Sequence, residues 1–180
     1  MAFLGTTGLW QRFDHAELAL CLRVNRGCRY PAVRRFFATI SRLGDGLFWY
    51  LLIFAFAISG PQGASVAAQM AVAGLAGVAL YKQLKHRLVR ERPFISYSAI
   101  SLGIAPLDRY SFPSGHTLHA VCFTLIATAH LPELAPMLIP FALLVAVSRV
   151  VLGLHYPTDV LAGAAIGTVL ARSALAFWPA

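Results

Sequence analysis

Charge is scarce in this chain. Only 12% of its 180 residues are charged, and just seven are Asp or Glu. A soluble domain carries about 25% charged residues, so the composition excludes an ordinary soluble globule. Cysteine is equally thin, and Cys21, Cys28 and Cys122 cannot build a disulfide framework. On a continuous helix Cys21 and Cys28 would stand about 10 Å apart, beyond disulfide reach. Cys122 sits in an apolar run and reads as a small buried hydrophobe. There is no Cys–His set and no carboxylate cluster of the kind that holds zinc or calcium, so neither a metal nor any other cofactor is expected. No internal repeat or low-complexity tract is present. The N-terminal residues include Arg12, Asp14 and Glu17 where a secretory leader would need an apolar stretch, so a cleavable leader is not expected.

The composition instead is 58% hydrophobic, with a mean hydropathy of +0.69, which indicates an integral membrane protein. A spanning helix needs about 20 mostly apolar residues. Five stretches qualify: 43–60, 63–84, 115–131, 134–153 and 158–178. The expected fold is therefore all-α, a polytopic membrane helix bundle. Gly163-Ala164-Ala165-Ile166-Gly167 in the last stretch has the spacing of close helix packing. Residues 1–42 alternate Leu, Val and Phe with Arg34, Arg35, Arg42 and other charges. They read as two amphipathic helices that lie in the interface or form a lid on the bundle, leaving 43–180 as the membrane core. The net charge of +8 suits anionic lipid or a phosphorylated substrate at a bilayer better than nucleic acid.

Three polar strings break the apolar pattern. They are Lys85 to Pro93, Pro113-Ser114-Gly115-His116, and Ser148-Arg149 followed by His155 and Asp159. If the spans alternate in direction, the end of the second, the start of the third, the end of the fourth and the start of the fifth meet on one membrane face. Residues more than 70 positions apart then share one site. Lys85 and Arg92, seven apart, would lie on one helix face two turns along, with Pro93 ending the helix. Together with Arg149 they suit a phosphate group. Ser114 can cap a helix whose free N–H groups attract an anion, with Gly115 opening the backbone to it. Asp159 can accept from one ring nitrogen of His155 and leave the other free to attack, the logic of a nucleophile and its orienter. His116 sits in the first turn facing that site. Lys82, Arg87 and Arg90 read as snorkelling anchors, and His119 as part of the bundle lining.

These strings resemble the three-part signature K-x6-R-P, P-S-G-H and S-R-x5-H-x3-D of the type 2 phosphatidic acid phosphatase family, the integral-membrane lipid phosphate phosphatases. The resemblance implies that His155 attacks phosphorus and becomes phosphohistidine, and that Asp159 orients it. His116 is implied to protonate the leaving oxygen. Lys85, Arg92, Ser114, the Gly115 amide and Arg149 are implied to hold the phosphoryl oxygens, with no metal. The substrate expected is a phosphorylated lipid: undecaprenyl diphosphate first, then phosphatidylglycerophosphate or phosphatidate. A different class of reading is a lipid or anion transporter that binds phosphate without hydrolysing it. All but one of the 15 Lys and Arg, Arg172, lie in residues 1–42 or toward the motif side. Taken literally, the positive-inside rule places that side in the cytoplasm. The resemblance implies the reverse, a bacterial inner membrane with the site facing the periplasm.

Overall fold

Proline opens many of the helices. The computed structural model describes residues 8–178, with side chains from Asp14 onward; the contribution of Arg12 to the first amphipathic helix lies outside the described side chains. Helices α2 (Pro31–Arg42), α4 (Pro61–Leu88), α5 (Pro93–Ser96) and α8 (Pro157–Phe177) each begin at a proline. At that position the missing N–H costs nothing and the fixed φ already suits a helix. The others are α1 (Gly8–Asn25), α3 (Phe48–Ile58), α6 (Gly115–His130) and α7 (Ala135–Val151). Among the described residues there is no strand, only an isolated bridge between Glu91 and Tyr110.

Four segments are long and apolar enough to cross a membrane: Pro31–Ile58, Pro61–Leu88, Pro132–Val151 and Pro157–Phe177. The expected third span, α6, has only 16 residues, about 24 Å at 1.5 Å per residue, against a hydrocarbon core of about 30 Å. It holds the middle of the bundle, between α4, α7 and α8. Its Leu118, Ala120, Cys122, Ile126 and Ala127 are wholly buried. Phe54, Leu75, Leu161 and Val169 point outward, as a lipid-facing surface requires.

The first span differs from the expectation that it starts at residue 43. The helix runs on from Pro31, through a wide turn at Leu43–Leu47, to Ile58. Asp45 (φ −83°, ψ 15°) and Gly46 (φ 130°, ψ −44°) are non-helical and kink it. Gly46 occupies a region closed to most side chains. Arg34, Arg35 and Arg42 face outward while α2 packs on α7, so charge along one face concealed the continuity. Helix α1 is docked on the bundle. Glu17 accepts from the Thr158 N–H at 2.8 Å, and Asn25 donates to the carbonyls of Ser101 and Val151, each at 2.9 Å.

Helices α6 and α8 touch backbone to backbone. A Cβ on Gly163 would come within 2.5 Å of the Ser114 carbonyl oxygen, and one on Gly167 would collide with that of Leu118. Backbone cannot rotate aside as a side chain can. Gly167→Ala is expected to destabilise the bundle by about 1–3 kcal/mol, the usual cost of overpacking, seen as a lowered thermal midpoint in detergent.

Candidate active site

The helix ends do converge. A cavity of about 500 Å³ is lined by Lys85, Arg92, Gly115, His116, Arg149 and His155 at its polar end. Its other walls are apolar, from Trp49 and Ile53 on α3, Leu75 and Val78 on α4, and Phe123 on α6. His119 also lines it, with Nε2 3.1 Å from the Gly74 carbonyl oxygen.

Lys85 and Arg92 reach the cavity by a route the spacing did not suggest. Helix α4 ends at Leu88, not at Arg92, because Val89 turns into the left-handed region at φ 45°, ψ 43°. That conformation is rare for a β-branched residue. Arg92 therefore does not stand two turns along from Lys85. It precedes α5 in extended backbone and folds back, buried. Its Nη1 donates to the Leu154 carbonyl at 2.9 Å and lies 3.1 Å from His155 Nε2. Its Nε donates to the Asp108 carbonyl at 2.8 Å. The Asp108 carboxylate is gripped by Arg92 Nη2 at 2.8 Å and by Lys85 Nζ at 2.9 and 2.7 Å. Burial alone would push the Asp108 carboxyl up, but Lys85 and Arg92 outweigh it and hold it below the usual carboxylate range. These two cations thus demonstrably share one oxyanion.

The contact with Arg92 decides the state of His155. A guanidinium only donates, so Nε2 must accept and carries the lone pair, leaving the proton on Nδ1. Burial first, then Arg149, Arg92 and Lys85, push the imidazole well below its ordinary range and keep it neutral. Nδ1 has no hydrogen-bond partner. Asp159 Oδ2 lies 3.6 Å away, within electrostatic range but too far for the hydrogen bond expected from the sequence. That carboxylate is engaged elsewhere: Oδ2 accepts from the Tyr156 N–H at 2.8 Å, and Oδ1 from Arg90 Nη1 at 2.7 Å.

Arg149 is buried at the end of α7. One Nη donates to Ser41 Oγ, and Nε has no partner. Ser114 precedes α6 but does not cap it through its side chain. Its Oγ pairs with Thr117 Oγ1 at 3.0 Å, and its N–H donates to the Asp159 carbonyl at 3.0 Å. Ser114 and Asp159 thus sit behind the cavity wall, and the other six expected site residues line it.

The sequence profile of the PAP2 superfamily matches residues 62–180. The chain belongs to this superfamily. Among its PAP2 relatives is the decaprenylphosphoryl-5-phosphoribose phosphatase of Mycolicibacterium smegmatis, 40% identical over 82 residues, covering 44% of this chain and 42% of the relative. Phosphatidylglycerophosphatase B of Bacillus subtilis is 38% identical over 105 residues, covering 51% of this chain and 47% of the relative. The chain thus spans about half the length of the curated relatives it matches. The crystal structure of a transmembrane PAP2-type phosphatidylglycerolphosphate phosphatase from Bacillus subtilis superposes with a TM-score of 0.75 at 26% identity. It covers 92% of this chain and 86% of that one. The all-α membrane bundle expected from the sequence is therefore the PAP2 fold.

Several polar residues of this PAP2 site escaped the sequence reading. Arg90, read as a snorkelling anchor, instead ties Asp159 to Glu17, with Nη2 2.7 Å from Glu17 Oε2, and stacks over the Tyr156 ring. Asp159 and Glu17 outweigh the opposing effect of burial and raise the Arg90 pKa. Asp108, Asp45 and Ser41 were not singled out. The one available signal was the rarity of acidic residues, which makes each one in an apolar chain worth tracing.

Proposed function

We propose that the cavity hydrolyses a phosphate monoester or diphosphate carried by a lipid. One observation carries this reading: Lys85 and Arg92 grip an oxyanion beside a buried, neutral His155 that lines the same cavity and whose unprotonated Nε2 accepts from Arg92. The Nε2 lone pair attacks phosphorus, an N–P bond forms, and the P–O bond to the lipid breaks as His116 gives the leaving oxygen a proton. Water, deprotonated by His116, then cleaves the N–P bond. Inorganic phosphate leaves and His155 is restored. Lys85, Arg92 and Arg149 offset the charge on the phosphoryl oxygens, with the Gly115 amide at the head of α6. Phosphoryl transfer needs little beyond such positioning and charge stabilisation. Ser114 serves through its hold on the start of α6, and Asp159 offsets the positive charge that His155 acquires.

The apolar walls next to the cationic end suit an amphiphile. A polyprenyl diphosphate is the first choice and a glycerolipid phosphate the second, and the two relatives named after such lipids support that class. Purified protein in detergent is expected to release phosphate from at least one lipid of a polyprenyl and glycerolipid panel. It should do so in excess chelator, because three converging cations disfavour a metal ion. Turnover of soluble phosphoesters with none of any lipid would refute the substrate class. Lipid phosphate binding without release would favour the transporter reading. The orientation we propose, following the family resemblance, has the site on the periplasmic face of a bacterial inner membrane. A reporter fused after Ala180 that is active only when exported would reverse that orientation.

A further inference from the structure

The first spanning helix contributes nothing to the three motifs, and its residues precede the matched segment 62–180. Yet two of its polar side chains touch the site from one face, four positions apart. Ser41 Oγ accepts from Arg149, and Asp45 Oδ1 lies 3.0 Å from His116 Nε2. Asp45 stands at the kink itself, which is held by three independent features. Gly46 supplies the positive φ. Trp49 Nε1 donates to the Gly44 carbonyl at 3.2 Å. Gly44 itself is pressed against Val145, where a Cβ would meet a side-chain carbon at 2.6 Å. Broken helical backbone is disfavoured at membrane depth unless its groups find partners. This one is compensated, and its result is to aim a carboxylate at a histidine.

We propose that Asp45 is the positioning residue that makes His116 the proton donor; this rests on the hydrolase reading above. The two histidines face opposite neighbours. Arg92 can only donate, so His155 Nε2 accepts from it and carries no proton. An ionised carboxylate can only accept, so Asp45 keeps the proton on His116 Nε2. Both Asp45 and His116 line the cavity, and with Nε2 held by Asp45 the ring nitrogen left to serve the leaving oxygen is Nδ1. With Asp45 as its counter-ion His116 carries a proton on each ring nitrogen, and as the P–O bond breaks the Nδ1 proton passes to that oxygen. The neutral imidazole left behind later takes a proton from water. The other charged and titratable groups that share the cavity with His116 are Arg149 on α7, Lys85 and Tyr81 on α4, Tyr50 on α3, Arg92, Asp108, His155 and His119. Its cations all oppose a protonated imidazole. Of the two carboxylates lining the cavity, Asp108 is engaged by Lys85 and Arg92, leaving Asp45 as the anion that faces His116.

The test compares two substrates with the same lipid tail, one an alkyl phosphate and one a nitrophenyl-type aryl phosphate. An aryloxide leaves without needing a proton. Asp45→Asn is expected to lower kcat on the alkyl ester about 100-fold, the scale of general acid catalysis, and on the aryl ester no more than about threefold. KM should stay nearly unchanged for both, and the alkaline limb of the alkyl pH profile should move to lower pH. If Asp45→Asn does not fold, Asp45→Glu carries the same test, because it shifts the carboxylate by one methylene and should show the same selective loss. An equal loss on both esters, or an unmoved alkaline limb, would overturn the proposal while leaving the hydrolase reading intact. A wild-type protein inactive on both esters would remove that reading and this proposal together.

Discussion

Replacing His155 with alanine is expected to lower turnover at least about 10⁴-fold, since loss of a nucleophile in comparable sites costs on the order of 10⁶. The fold should survive. Arg92, which loses its contact with Nε2, keeps the Leu154 carbonyl and the Asp108 carboxylate, so no buried charge is stranded. His155→Gln fills most of the same volume and should be as inactive, which separates chemistry from packing. Both variants should elute and unfold like the parent in detergent. The environment of His155 also sets the sign of its pH response. Its folded-state pKa lies well below the ordinary imidazole value, so the folded protein binds fewer protons than the unfolded chain. Its contribution to stability is present above about pH 6.5 and lost as pH falls toward the folded value. The acid limb of activity should likewise lie below the usual imidazole range.

Asp159→Asn is expected to lower kcat about 10³-fold with KM nearly unchanged. In a triad with a true Asp–His hydrogen bond the same change costs about 10⁴. Here the 3.6 Å separation leaves the carboxylate acting mainly through its charge, which offsets the positive imidazole ring formed on phosphorylation. Steady-state kinetics on a lipid phosphate separate the two parameters. Arg90 retains Glu17 as a partner in this variant, so the docking of α1 should persist. A loss in KM with kcat preserved would instead place Asp159 in substrate binding.

The residues at the cavity were legible because they are contiguous polar strings in an apolar chain, and because alternating helices bring their ends to one face. Lys85, His116, Arg149 and His155 needed no more than that. What was not legible depended on tertiary contacts or broken periodicity. Arg90 meets Glu17 and Asp159 across 73 and 69 positions, and nothing local distinguishes it from Arg87 or Lys82 as an anchor. Arg92 was expected on the face of an unbroken helix, but the left-handed Val89 ended that helix early. The continuity of α2 and α3 was hidden because the arginines that suggest an interfacial helix occupy its outward side. Asp45 at the kink and Ser41 one turn before it meet His116 and Arg149 only through the packing of α6 and α7.

The central claim is covalent attack by His155, and trapping the intermediate tests it most directly. Purified protein would be mixed with a lipid phosphate labelled at phosphorus, quenched within the first turnover, and digested. The account predicts label bound through nitrogen on His155, stable in alkali and lost in acid, and absent from His155→Gln. Wild-type turnover without a labelled enzyme, or with label on any other residue, would contradict it.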